Sequence, residues 1–185
     1  YGGKLIGICG GYQMLGRRIL DPHHIEQGGV VPGFGYLDTE TELQLRKCTT
    51  QLEAQPVGWW MSDAVTVRGY QIHMGRTFRR NERPSFRIRR HAGKEGANEE
   101  ACEDEVDGAI RPDGLVWGTY IHGVFDQPGF RRLWLNRVRG KKGWSPLDVQ
   151  VSETVTTRLS RELDRWTDHL ETHLNLSRLL GWLHL

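Results

Sequence analysis

Apolar residues along this chain fall into short blocks divided by glycine and proline, and the period within each block assigns an element. Leu5 to Ile8 is a continuous apolar run of strand length. Tyr12, Leu15 and Ile19 follow at helical spacing, and Asp21-Pro22 ends that pattern. A strand and a helix are therefore predicted, with Cys9, Gly10 and Gly11 between them. Next comes a glycine-rich turn, Gly28 to Gly35. Thr41 to Lys47 and Ala64 to Tyr70 alternate as strands do, and Phe86 to Arg90 is a third short strand. From His91 to Gly108 the chain is polar and acidic, which predicts a solvated surface loop dispensable for any chemistry. Leu115 to Phe125 is a second apolar strand, ending in His122-Gly123. Asp126 is placed to cap the next helix, Pro128 suits its first turn, and Phe130, Trp134 and Val138 form its buried face. After a break from Lys141 to Pro146, Val155, Leu159, Leu163, Trp166, Leu170 and Leu174 recur every three or four residues. That is a long amphipathic helix, whose stripe is expected to pack into a core. Leu176 to Leu185 adds a short final turn.

Composition narrows the picture. With 185 residues and 37% hydrophobic content, the chain can build one compact domain with a real core. Lys and Arg number 25 against 23 Asp and Glu, a net charge of +2, which argues for neither a nucleic acid nor a membrane surface as partner. The arginines at 79, 80, 87, 89 and 90 read as a solvated strand face. There is no apolar run of membrane-spanning length and no signal peptide in the sequence. Three cysteines, without metal-like spacing, point to reduced thiols and a cytoplasmic setting.

The candidate chemistry gathers at two places. Cys9 is flanked by Gly7, Gly10 and Gly11, the layout of a tight strand-to-helix turn that presents a nucleophile. Free N–H groups at the start of the helix favour a thiolate there and can receive the oxyanion of a tetrahedral intermediate. A buried structural cysteine is the other reading of the same residue. His122 closes an apolar strand, where open α/β sheets place their active sites, although a structural histidine fits that position too. His23, His24 and Glu26 form a polar turn and not a metal site, since adjacent histidines point apart and no further ligand is near in sequence.

At these residues the chain resembles a family. The run Gly7-Ile8-Cys9-Gly10-Gly11-Tyr12-Gln13 matches G-x-C-x-G-x-Q, the nucleophile motif of class I (triad-type) glutamine amidotransferase domains. The fuller form is similar to the branch found at the C-terminal end of cobyric acid synthases. Asp21 to Glu26 resembles that branch's D-P-x-x-I-E. Gly69 to Gly75 resembles G-Y-E-I-H-x-G, with Gln71 where the family usually has Glu. Gly118 to Asp126 resembles G-T-Y-x-H-G-x-F-D, which holds the family's catalytic histidine.

The resemblance implies an α/β fold: an open, mostly parallel sheet with flanking helices, followed by a C-terminal amphipathic helix. Residues 1–139 would form the amidotransferase core and 140–185 a helical extension of it. Because the turn at Cys9 follows so soon after Tyr1, upstream strands of the sheet are expected to lie outside these residues. The implied catalytic pair is Cys9 and His122, with the Gly10 N–H in the oxyanion site and Gln13, Tyr70 and His73 binding substrate. Most class I enzymes carry H-x-E, but here Val124 occupies the position of the acid, which leaves a dyad. The substrate would be glutamine. Its ammonia would pass to a synthetase domain using ATP and Mg to amidate carboxylates of a corrin precursor, with no cofactor or metal in this segment. The alternatives are an amidotransferase acting on another corrin intermediate or a cell-wall lipid precursor, or a non-catalytic interaction module.

Overall fold

The structure, a computed structural model, describes residues 3–57, 65–92, 105–148 and 155–182. Strand β1 (Leu5–Ile8) is the apolar run, and it pairs in parallel with the second apolar strand, β9 (Val116–Thr119), from Leu5↔Val116 to Ile8↔Thr119. A two-residue strand, β8 (Ala109–Ile110), adds to β9 from the other side, antiparallel. The sheet order is therefore β1-β9-β8, with β9 in the centre. Helix α1 (Gly10–Leu15) leaves β1 after one residue and buries Tyr12 and Leu15.

The predicted helix was to run on to Asp21, but it stops at Leu15. Gly16 is extended, and a side chain there would meet the Thr39 hydroxyl at 2.7 Å. Ile19 instead belongs to β2 (Arg18–Asp21), and the predicted glycine-rich turn contains β3 (Gly29–Pro32), its antiparallel neighbour. Asp21 binds the two together: its carboxylate accepts the backbone N–H groups of Ile25, Glu26 and Gly28. The histidine pair at 23 and 24 thus sits in a turn organised by Asp21.

The predicted strands at 41–47, 64–70 and 86–90 lie in longer ones, β4 (Thr39–Pro56), β5 (Val67–Arg79) and β6 (Phe86–Ala92). Ala64 falls outside the described residues. β4 and β5 form a long antiparallel pair whose register shifts between Leu43 and Cys48. The second sheet runs β3-β2-β4-β6-β7, with β5 also paired to β4. Its last member, β7 (Val106–Asp107), lies inside the stretch read as a solvated loop. That reading fails for Val106 and Asp107, which pair with β6, and for the buried Gly108 after them. Residues 93–104 lie outside the described set. The α/β class is as expected, and the sheets are mixed. Parallel pairing among the described residues is confined to β1/β9 and β2/β4, because consecutive strands such as β4 and β5 are joined antiparallel.

The core lies under these sheets. Phe86, Trp117 and Phe130 meet ring against ring, and Ile121, Val124, Leu52 and Val67 close around them. Helix α2 (Pro128–Lys141) contributes Phe130, with proline in its first turn as predicted. Its cap residue is Gln127, not Asp126, and no side chain closes that end.

The C-terminal helices α3 (Val155–His173) and α4 (Leu176–Trp182) keep the predicted period but not the predicted packing. Leu159, Leu163 and Trp166 are 57%, 57% and 64% exposed. The apolar stripe is therefore a surface among the described residues. No helix among them is long and apolar enough to cross a membrane.

Candidate active site

Gly7 explains how the turn at Cys9 can be so tight. A Cβ at Gly7 would lie 2.6 Å from the Gly11 carbonyl oxygen, so only glycine lets the helix fold back against the strand. Cys9 itself has φ 53° and ψ −117°, a conformation that non-glycine residues rarely adopt. Its N–H donates to the Thr119 carbonyl at 2.9 Å, which ties the turn to the end of β9. Cys9 is half-buried and is the free cysteine among the described residues. Cys48 is disulfide-bonded, so the expectation of reduced thiols does not hold for it, and Cys102 lies outside the described set.

His122 stands three residues beyond Thr119, past the end of the strand. It makes a two-way backbone bridge with Tyr70 on β5: His122 N–H donates to the Tyr70 carbonyl at 2.8 Å, and Tyr70 N–H donates back at 3.3 Å. The Tyr70 ring lies flat on the imidazole, with centroids 4.9 Å apart and planes 6° apart. Gly69 makes this approach possible, because a side chain there would strike the His122 carbonyl. The His122 Nε2 is buried and has no hydrogen-bond partner among the described residues.

Strand β5 brings the two halves together. Two residues past Tyr70, the Ile72 carbonyl lies 3.6 Å from the Cys9 Sγ and accepts a weak bond from the thiol. Alternate residues of a strand are about 7 Å apart. Cys9 and His122 are thus held by alternate positions of one strand, although 113 residues separate them in sequence.

The three residues expected to bind substrate also converge here, but they do different things. Tyr70 is half-exposed above His122. Gln13 and His73 turn towards Tyr120: the Gln13 Nε2 donates to the Tyr120 hydroxyl at 3.2 Å, and the His73 ring stacks on Tyr120 at 3.7 Å. The His73 Nδ1 is 2.8 Å from the Gly75 carbonyl. Burial pushes the Tyr120 hydroxyl up to about 12, so it stays protonated in this network.

Behind this layer lies a carboxylate that the sequence reading missed. Asp107 is 3% exposed and accepts hydrogen bonds from the Thr119 hydroxyl, the Gln71 amide at 3.0 Å and the Tyr120 N–H at 3.1 Å. Burial pushes its carboxyl up to about 6, against the pull of these donors. The signal available in sequence was the short run Val106-Asp107-Gly108-Ala109-Ile110, a lone acid among apolar residues and a glycine, hidden behind the acidic run before it. A cleft of about 740 Å³ opens on this side, lined by Gln71, His73, Arg76, Arg79, Asp107 and Tyr120 among others. Neither Cys9 nor His122 is among the residues that line it.

Where the acid of H-x-E would stand, Val124 is fully inside the core. Among the described residues, no group of three side chains could hold a metal ion.

Comparisons with known proteins agree on the family. The profile of the CobB/CobQ-like glutamine amidotransferase domain matches residues 1–130. The cobyric acid synthase of Syntrophobacter fumaroxidans is 37% identical over 183 residues, covering 96% of this chain and 34% of that protein. That of Paracoccus denitrificans is 40% identical over 181 residues, covering 97% and 32%. This chain spans about a third of the length of the curated relatives it matches. A chain of the PurLQS structure from Thermotoga maritima superposes over 74% of this chain and 63% of its own, at a TM-score of 0.47 and 14% identity, too slight a likeness to argue from.

Proposed function

Because the chain belongs to the CobB/CobQ-like glutamine amidotransferase family, we propose that Cys9 and His122 hydrolyse the side-chain amide of glutamine as a dyad. The Cys9 thiolate attacks the amide carbon, and the Gly10 N–H helps to hold the oxyanion. As the intermediate collapses, His122 gives a proton to the departing ammonia and leaves a thioester on Cys9. Water then attacks the thioester with its proton passing to His122, which releases glutamate and restores the thiolate. Tyr70 offers a ring beside the reacting groups, while Gln13 and His73 shape the site through Tyr120.

The observation that carries this reading is the strained backbone of Cys9, two strand positions from the histidine bridge. The ammonia would be used elsewhere in a longer protein, by an ATP- and Mg-dependent synthetase that amidates corrin carboxylates in cobalamin biosynthesis. The relatives' name, cobyric acid synthase, supports the cobalamin part of this reading. A cytoplasmic setting goes with it.

The test is covalent labelling by a glutamine-analogue electrophile, followed by peptide mapping. Cys9 should carry the label, and free glutamine should protect it. Labelling that is unchanged in Cys9→Ser would contradict the assignment.

A further inference from the structure

Resting on that dyad, we propose that Asp107 is a positioning residue for the reaction: one buried carboxylate that locks together the two backbone segments holding Cys9 and His122. Its partners lie on both segments. Gln71 is on β5, between Tyr70, which bridges His122, and Ile72, whose carbonyl faces the Cys9 sulfur. Thr119 and Tyr120 are on the other segment, where β9 ends and the turn to His122 begins. The Thr119 carbonyl also receives the Cys9 N–H. Each of these contacts to Cys9 and His122 is therefore made by an Asp107 partner or by the residue next to one. Asp107 touches neither reacting group, so its action is through their placement.

A carboxylate suits this place because all three partners are donors and its two oxygens can accept them together. Without it, the Gln71 amide, the Thr119 hydroxyl and the Tyr120 N–H would be buried with no acceptor, and the segments would shift to find one. The loop carrying His122 has no side-chain acid two residues on to correct such a shift. Asparagine can replace the carboxylate in part. Its oxygen still accepts from Thr119 and Tyr120, and the Gln71 amide can turn to present its own oxygen to the new NH₂ group.

The experiment compares glutamine hydrolysis and thermal melting of the full chain and its Asp107→Ala, Asp107→Asn, Thr119→Val and His122→Ala variants. Misplacement of about 1 Å costs roughly 100-fold in rate, so Asp107→Ala should lose about 10- to 100-fold in kcat, with KM within about threefold. Asp107→Asn should recover most of that loss. If Asp107→Ala does not fold, Thr119→Val, which keeps the volume and removes one donor, must show a folded protein with the same kcat-selective loss. Normal kcat in folded Asp107→Ala or Thr119→Val, a loss confined to KM, or an Asn variant as poor as Ala would overturn the proposal. Normal kcat in His122→Ala would instead overturn the dyad on which it rests.

Discussion

At Cys9 the backbone sits at φ 53° and ψ −117°, a placement that costs on the order of 1–3 kcal/mol and persists only where the surroundings enforce it. Gly7 and the Thr119 carbonyl enforce it here. Two residues beyond His122, the second member of the proposed dyad, stands Val124 where an H-x-E motif would carry its acid, and the structure explains why that acid cannot simply be introduced. Val124 packs among Leu52, Phe86 and Ile121, so its side chain points away from the imidazole side into the core. Val124→Glu should therefore not raise kcat, and it should destabilise the fold by about 3 kcal/mol or more, as a charge buried without partners does. Burial raises the folded-state pKa of such a glutamate, so stability is retained below its unfolded pKa and lost as pH rises through the folded one. Denaturant unfolding at acidic and neutral pH checks this: the variant should be nearest to the parent at acidic pH. Cys9 and His122 were legible in sequence because glycines mark the special backbone around each. Asp107 was not, since one buried carboxylate next to an acidic run has the composition of a surface loop. Only its pairing with Gln71 and Thr119, from distant strands, distinguishes it.

Among the elements, the sequence pattern located the strands well and their ends badly. Hydrophobic period does not record where a neighbour intrudes. Leu15 ends α1 because Gly16 packs on Thr39, and Ile19, at helical spacing from Leu15, faces a strand pairing instead. β4 and β5 extend far beyond their alternating cores because each supplies the other's hydrogen bonds, whatever the side chains. Helix α3 shows the opposite failure, with the right element and the wrong surroundings. Amphipathic period states that a face can be buried and does not say by what. In this chain the double substitution Leu163→Gln, Trp166→Gln should change stability by no more than about 0.5 kcal/mol, as at other exposed sites. Phe130→Ala, in the aromatic core, should cost about 3–5 kcal/mol. Thermal unfolding of the two variants separates the cases. A large loss from the helix pair would mean that the stripe is covered in solution.

At the scale of the whole molecule, two sheets with different pairing meet at one line: β1 and β9 present the cysteine and the turn to the histidine, and β5 crosses to hold both. No single motif contains the site. The sequence singles out Cys9 and His122 as the proposed pair, but the strand joining them had to be seen in space. The central claim is that this junction is a hydrolytic dyad with His122 as its acid and base. The most direct test is the glutamine-dependent turnover of His122→Ala beside the parent, both confirmed as folded by melting. A general acid–base residue contributes about 10²–10⁴-fold in rate, so kcat should fall by that order while KM changes little. Turnover at the parental rate, or a loss carried by KM alone, would contradict the account.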